Sequence, residues 1–171
     1  MKKKIAILGS TGSIGKSTLD IIRKDKKSFE IVFLSANNNY AKLVQQAKEF
    51  KVKNIFIKNK IFYERVKKSL KNSKTKVYSG DISITNIVSK KIDYTMAAIV
   101  GVAGLQPTID AIKISKTVAL ANKESIICGW EILSKLVKRY KTKIVPVDSE
   151  HFSIMELTKD IRDDEVEEII I

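Results

Sequence analysis

The stretch KIAILGSTGSIGKSTLDIIRKD, Lys4–Asp25, decides how the rest of the chain is read. It opens on a short apolar run, Ile5–Leu8, of strand length, and closes on a segment with Ile14, Leu19, Ile21 and Ile22 at roughly helical spacing. Between them stand Gly9, Gly12 and Gly15. A glycine turn that joins a strand to a helix lets the backbone approach an anion at the helix N-terminus, an arrangement that suits a dinucleotide pyrophosphate. The spacing is G-x-x-G-x-x-G rather than the commoner G-x-G-x-x-G, and Lys16–Ser17 follow at the wrong distance for a P-loop. A glycine turn without a ligand is the competing reading.

Outward from that unit the same alternation continues. FEIVFLSA (29–36), KNIFIK (53–58), DYTMAAIV (93–100), KTVALA (116–121) and TKIVPVD (142–148) read as strands, with a weak one around Val77. Between them YAKLVQQAKEF (40–50), KIFYERVKKSLKN (60–72), a piece near Ile82–Val88, GLQPTIDAIKIS (104–115) and KESIICGWEILSKLVKRY (123–140) read as helices. Leu43, Val44 and Ala47 share one side of their helix, and Pro107 sits near a helix start, where proline is tolerated. The pattern predicts an α/β fold, a Rossmann-like doubly wound and mainly parallel sheet. The last segment, RDDEVEEIII (162–171), alternates and ends on three isoleucines, which predicts a strand wanting a partner and a chain that is the first part of a longer protein.

Composition narrows the function classes. No stretch approaches the roughly 20 apolar residues a membrane-spanning helix needs. The start MKKKIAILGS is basic, but its apolar run is too short for a signal peptide and leads into the glycine turn. Cys128 is the only cysteine, which excludes an intrachain disulfide and fits a reducing compartment, so a cytoplasmic location is expected. The net charge is +13, yet only four of the 32 basic residues are arginines, and the lysines are scattered rather than clustered with aromatics. That argues for a solvated lysine surface and against a nucleic-acid partner. Charge is uneven along the chain: residues 151–171 hold seven acids against two bases, whereas residues 1–150 carry a net +18, which predicts a boundary near residue 150.

In a doubly wound sheet ligands gather at the carboxyl ends of the strands. The second strand ends in LSANNNY, with Asn37, Asn38 and Asn39 where binders of NAD usually place an acid. No carboxylate there repels a 2′-phosphate and amide donors can meet one, which favours NADP; a polar loop of turn residues is the alternative. Gly101 and Gly104 in AAIVGVAGLQP permit close approach to the backbone. ALANKES sets Asn122, Lys123 and Glu124 together at a strand end, although a helix cap and an acidic first turn explain two of them. In PVDSEH an extended backbone would aim Asp148 and Glu150 to one side, roughly 6–7 Å apart. Two hard oxygen ligands of that kind suit Mg²⁺ or Mn²⁺, and an ordinary acidic turn fits the short motif as well. His151 reads as a hydrogen-bonded support.

Taken together, ILGSTGSIGKSTLDIIR, MAAIVGVAGLQPT, LANKES and PVDSEH resemble, in order and spacing, the 1-deoxy-D-xylulose 5-phosphate reductoisomerase family over essentially the whole chain. The resemblance implies an NADPH-dependent enzyme of non-mevalonate isoprenoid biosynthesis that turns this phosphosugar into 2-C-methyl-D-erythritol 4-phosphate. It implies an NADPH-binding domain over 1–149 and the opening of a catalytic domain over 150–171. Gly9, Thr11, Gly12, Ser13 and Ile14 would hold the cofactor, Asn37 and Asn39 its adenosine end, and Asn122 and Glu124 its nicotinamide side. Lys123, Ser149 and Glu150 would meet the substrate, and Asp148 and Glu150 would bind Mn²⁺ or Mg²⁺, so that Lys123, Asp148 and Glu150 carry the chemistry. The full-length enzyme would be a homodimer with no membrane or nucleic-acid partner. Two departures stand out. The family commonly has Gly-Lys-Asn where this chain has Asn37–Asn39, with Lys42 a candidate substitute. It also tends to read NAIFQ after SEH, where this chain has Phe152 and Glu156. The family continues past EEIII (167–171) into a glycine-rich strand turn, a lid, further metal and phosphate ligands and a helical domain. The expectation is therefore a cofactor-binding portion that turns over little or nothing alone, with a stand-alone NADP-binding module as the alternative.

Overall fold

A computed structural model of the chain describes residues 1–88 and 91–168. Its strands are β1 (Lys3–Leu8), β2 (Phe29–Ala36), β3 (Asn54–Ile57), β4 (Lys76–Ser79), β5 (Ile92–Ala97), β6 (Ser115–Leu120) and β7 (Lys143–Pro146). The helices between and after them are α1 (Ser13–Lys24), α2 (Tyr40–Glu49), α3 (Tyr63–Ser69), α4 (Ile84–Ile87), α5 (Leu105–Ile114), α6 (Lys123–Tyr140) and α7 (Ser149–Thr158). The strands form one seven-stranded sheet in the order β4-β3-β2-β1-β5-β6-β7, with every pairing parallel. Chain order reverses between β1 and β5, and that reversal is the switch point where such sheets leave a crevice.

Alternation along the strands builds two cores. Ile5 and Ile7 join Leu19 and Ile22 of α1, Leu43 and Ala47 of α2 and Val66 of α3 in one layer. Ala6 and Leu8 join Ala111 and Ile112 of α5 and Leu133 of α6 in the other. In β2 the β1–β2 register passes from Ile31 directly to Phe33, so one extra residue lets Ile31 and Leu34 face the same core at odd spacing. Each fully buried Leu or Ile contributes about 1.5–3 kcal/mol by leaving water. Between β5 and β6, where both neighbours are strands, the hydroxyls of Thr95 and Ser115 satisfy each other at 2.7 Å inside the core.

Several boundaries differ from the sequence reading. Ile14 and Ile21 do not join the core; they are exposed, and Gly15 takes the inward position of the first turn. The segment 60–72 begins as a 3₁₀ turn, Lys60–Phe62, because Asn59 caps it by accepting from the Ile61 N–H at 3.1 Å. β5 stops at Ala97, leaving Val100 at 82% exposure, and Ser115 starts β6 instead of ending α5. At the C-terminus the expected strand over 162–171 is not found among the described residues. Asp163–Glu165 form a 3₁₀ turn in which the Glu165 carboxylate accepts from the Arg162 N–H at 3.0 Å; Ile169–Ile171 lie outside the described residues. Among the described residues no helix is long and apolar enough to cross a membrane.

Candidate functional site

The glycine turn sits at the switch point. Gly9 has φ +80°, a left-handed conformation that costs glycine little, and a Cβ there would lie 2.6 Å from the Ala98 carbonyl oxygen. The ends of β1 and β5 therefore touch at Gly9, and the Ala98 N–H donates to the Leu8 carbonyl at 3.0 Å. One turn later Gly15 lets α1 start directly over the Gly9–Ser10 backbone, since a Cβ at 15 would fall 2.6 Å from Ser10 Cα. α1 has Gly12 as its N-cap, no side-chain cap and no acid in its first turn. The N–H groups of a first turn have no intrahelical acceptor, and here nothing from a side chain neutralises them or the positive end of the dipole. The Gly12 N–H donates to Gly9 O at 3.1 Å, which closes the turn, and Ser13 and Ile14, both exposed, start the helix with N–H groups that no side chain accepts.

What holds the turn rigid was not foreseen from the sequence. Ser10 is fully buried; its hydroxyl donates to Gln46 Oε1 at 2.8 Å, and Gln46 Nε2 donates back to the Ser10 carbonyl at 2.9 Å. Ser35, at the end of β2, accepts from the Gly9 N–H through Oγ at 3.1 Å and from the Ser10 N–H through its carbonyl at 2.8 Å. The only hint was a glutamine on the apolar side of the second helix, between Leu43 and Ala47. Buried amides of this kind are kept because they are fully paired.

Beside the turn lies the loop after β2. Asn37, Asn38 and Asn39 are all exposed and no carboxylate stands among them. Asn39 caps α2, its Oδ1 accepting from the Lys42 N–H at 3.1 Å, and Asn38 Oδ1 accepts from Asn59 Nδ2 at 2.9 Å. Of the two residues expected at the adenosine end, Asn37 keeps an uncommitted side chain among the described residues, while Asn39 spends its carbonyl oxygen on the helix.

On the other side of the switch point Asn122 is 3% exposed. Its Oδ1 accepts from the Ser125 N–H at 2.7 Å, capping α6, and its Nδ2 donates to Gly101 O at 2.8 Å and to Ile99 O. The carboxamide is used up as a clamp between α6 and the 99–104 loop, so any contact from Asn122 to a ligand falls to its backbone. Gly104 fits against that clamp, because a Cβ there would lie 2.5 Å from Ile99 O and on top of the Asn122 amide. Lys123 and Glu124 occupy the first turn of α6, Lys123 exposed and Glu124 half-buried.

The β6 and β7 ends lie side by side, with Leu120 opposite Pro146 and the Val147 N–H donating to Leu120 O at 3.1 Å. The sheet thus brings Lys123 and Asp148–Glu150 to one corner of its carboxyl edge. Asp148 keeps extended backbone, but Ser149 and Glu150 are already helical, so the 148–150 stretch is not the extended run the sequence reading expected. Asp148 is the N-cap of α7, with Oδ1 accepting from the His151 N–H at 2.9 Å and lying 2.5 Å from His151 Nδ1, and Glu150 falls in the first turn. Residues two apart at a helix start diverge instead of sharing a side. Burial pushes the Asp148 carboxyl up, but the His151 N–H and imidazole outweigh it and hold it below the usual carboxylate range. Glu150 is exposed, and its Oε2 accepts from the Ser149 hydroxyl at 3.1 Å. Among the described residues there is no group of three or more His, Cys, Asp or Glu that would hold a metal. The first-turn amides of α1 fit a dinucleotide pyrophosphate; the acidic corner, by itself, does not make a metal centre.

Comparison with known proteins bears on the family and the fold. The family model described as 1-deoxy-D-xylulose 5-phosphate reductoisomerase matches residues 5–130. The 1-deoxy-D-xylulose 5-phosphate reductoisomerase of Pelagibacter ubique is 52% identical over 171 residues, which is 99% of this chain and 44% of that protein. Among solved structures, the Zymomonas mobilis 1-deoxy-D-xylulose 5-phosphate reductoisomerase in complex with NADPH superposes with TM-score 0.83 at 38% identity, over 88% of this chain and 40% of that one. A DOX-P reductoisomerase in complex with NADPH, fosmidomycin and magnesium gives 0.81 at 37% identity, over 87% of this chain and 37% of that one. The chain spans less than half the length of the curated relatives it matches. With a family match over most of its length, and relatives aligned along nearly all of it, the chain belongs to the 1-deoxy-D-xylulose 5-phosphate reductoisomerase family.

Proposed function

We propose that this chain is the NADPH-binding part of an enzyme that rearranges 1-deoxy-D-xylulose 5-phosphate and reduces the product to 2-C-methyl-D-erythritol 4-phosphate. The observation that carries the reading is the uncapped, acid-free N-terminus of α1 at the switch point, held by the buried Ser10–Ser35–Gln46 hydrogen bonds. Amides so fixed need no reorganisation when an anion arrives. NADPH, if held there, would be the source of the hydride. The backbone of Thr11–Ile14 and the α1 dipole would hold its pyrophosphate, with Gly9 giving the close approach. Asn37 and Asn39 would flank the adenosine, and the 99–104 loop, Asn122 backbone and Glu124 the nicotinamide side.

At the acidic corner Lys123 would position and neutralise a substrate oxygen, with Ser149 as a hydroxyl partner. Asp148 and Glu150 would contribute two carboxylates to a Mg²⁺ or Mn²⁺ site whose other ligands lie outside the described residues. We place the cofactor domain at 1–149 and the opening of the catalytic domain at 150–171, consistent with an α7 that has no buried residue. A cytoplasmic location rests on Cys128 as the only cysteine. The test is NADPH titration together with NADPH oxidation in the presence of deoxyxylulose phosphate and Mn²⁺. Both are run for this chain and for a chimera continued after residue 171 with the corresponding part of the Pelagibacter relative. Binding by both and turnover only by the chimera is expected; absence of NADPH binding in both refutes the reading.

A further inference from the structure

Selection between NADPH and NADH needs something that sees the 2′-phosphate, and in this fold that group lies at the end of β2. The loop there offers no charge of its own. Asn39 is spent as a helix cap and Asn38 is tied to Asn59, which leaves amides to face a group that carries close to two negative charges. Amide contacts to phosphate are weaker than those of an ammonium or guanidinium. The cation must come from a neighbouring element.

Two flanks supply lysines. On the α2 flank, Lys42 is turned forward along its helix, with Nζ donating to Gln45 Oε1 at 3.1 Å. It lines the groove between α1 and α2 with Lys16, Asp20, Arg23 and Glu49, where both carboxylates are paired with Arg23. On the β3 flank, the Lys58 N–H donates to Ala36 O at 2.9 Å and the Asn59 N–H to Asn37 O at 3.2 Å. Those two bonds continue the β2–β3 ladder past its last paired residues, so Lys58 stands next to Asn37 at strand spacing, about 4.8 Å. Lys58 Nζ rests 3.1 Å from Asp81 Oδ1, a carboxylate that is 86% exposed. Lys60 lies close by, its Cε 3.0 Å from where a Cβ on Gly80 would be. The Asp81 carboxyl is held below its usual range by Lys58 first and by Lys60 after it. Two ammonium groups against one carboxylate leave a positive charge uncompensated beside Asn37. So exposed a pair is easily given up.

Resting on the reading of the crevice as an NADPH site, we propose that Lys58, across the β2–β3 step, grips the 2′-phosphate and makes this chain prefer NADPH to NADH. The amides of Asn37 and Asn38 complete the contact, and Lys60 holds Asp81 when Lys58 leaves it. Lys58 sits on the strand after the loop, so the selective cation comes from the sheet and not from the loop itself.

The experiment measures Kd for NADPH and NADH by fluorescence titration of the 171-residue chain, Lys58→Ala, Lys58→Gln and Lys42→Ala. Lys58 is exposed, so its removal opens no cavity, and circular dichroism checks that each variant is folded. Loss of one charge-assisted contact is expected to weaken NADPH about 10-fold or more in both Lys58 variants, with NADH changed by less than about 2-fold. Lys42→Ala is expected to keep the ratio of the two constants within about 2-fold of wild type. Equal weakening of both dinucleotides, an unchanged ratio in the Lys58 variants, or a ratio that collapses in Lys42→Ala alone overturns the assignment while leaving NADPH binding intact. A wild-type chain that binds neither dinucleotide overturns the site reading as well.

Discussion

Replacing Gly15 with alanine sets packing directly against helix propensity, and the structure indicates which wins. A Cβ at this position falls 2.6 Å from Ser10 Cα and 2.8 Å from the Ser10 carbonyl carbon, and closer still to Gly9 O. These are backbone atoms of a turn pinned by Ser35 and Gln46, so no flexible side chain can yield. Ordinary contact begins near 3.4 Å, and reaching it requires the turn and α1 to part by about 1 Å. Overpacking of this kind costs roughly 1–3 kcal/mol, while alanine gains about 0.5–1 kcal/mol over glycine in a helix. The expected net is a loss of about 1–2 kcal/mol, read as a lower urea midpoint at unchanged slope. If the first-turn amides hold the pyrophosphate as proposed, the same displacement would move them off it, and NADPH binding should weaken about 10–100-fold. Gly12→Ala is the control for stability. Its Cβ would lie 3.4 Å from Gly9 O, an ordinary contact, so only the poorer N-cap is felt and its urea midpoint should fall less than that of Gly15→Ala. A Gly15→Ala chain with wild-type midpoint and wild-type NADPH affinity would refute both the packing argument and the placement of the pyrophosphate.

Two further outcomes follow from buried or bridging groups. Asn122→Ala removes the cap of α6 and leaves the carbonyls of Ile99 and Gly101 without their donor. A loss of about 2–4 kcal/mol is expected, seen as a fall of roughly 5–15 °C in Tm; a fall under about 2 °C would mean the clamp is not formed. Asp93 bridges β1 and β6, 2.7 Å from Lys116 Nζ and accepting from the Lys4 N–H at 2.8 Å; Lys116 first and Lys4 second hold its carboxyl below the usual range. A depressed folded-state pKa contributes stability that is present above the unfolded value of about 3.9 and is lost as pH falls through the folded value. Asp93→Asn should therefore be less stable than wild type at neutral pH, with the gap closing below about pH 4 in urea midpoints; a gap constant with pH would refute the linkage.

Much of the frame was legible because it depends on period and punctuation. The glycine turn after Leu8, the β-branched runs and the amphipathic α2 and α6 each follow from local chemistry, and they settle the parallel sheet. The missing carboxylate at Asn37–Asn39 was legible for the same reason. What the sequence hid depends on partners far along the chain. Gln46 lies thirty-six residues from the Ser10 it fixes, and only its place on an apolar helix face signalled it. Asn122 was legible as a cap, but not as a clamp on the 99–104 loop. At Asp148 the helix-start signal was present, a capping acid with Glu150 in the first turn, yet the preceding strand encouraged an extended reading. In RDDEVEEIII the alternation of 162–168 was weighed above local hydrogen bonding: the Glu165 carboxylate reaches back to the Arg162 N–H and turns the chain, while Ile169–Ile171 lie outside the described residues.

The two ends of the crevice are built to different rigidity, and that difference bears on how function divides. The end with the glycine turn is over-determined: Gly9 and Ser10 are held by five hydrogen bonds to Ser35 and Gln46, from β2 and α2. Every partner in that network lies within the first 46 residues, inside the core built by β1, β2, α1 and α2. The acidic end is held by little. α7 buries no residue, Phe152 and Leu157 stand exposed on it, and Asp148 is fixed by its strand neighbour and by capping its own helix. On the proposed reading, cofactor recognition would be a local property of the packed sheet. On the same reading, metal chemistry would call on contacts that pin α7, and binding and turnover are then expected to separate in the chain.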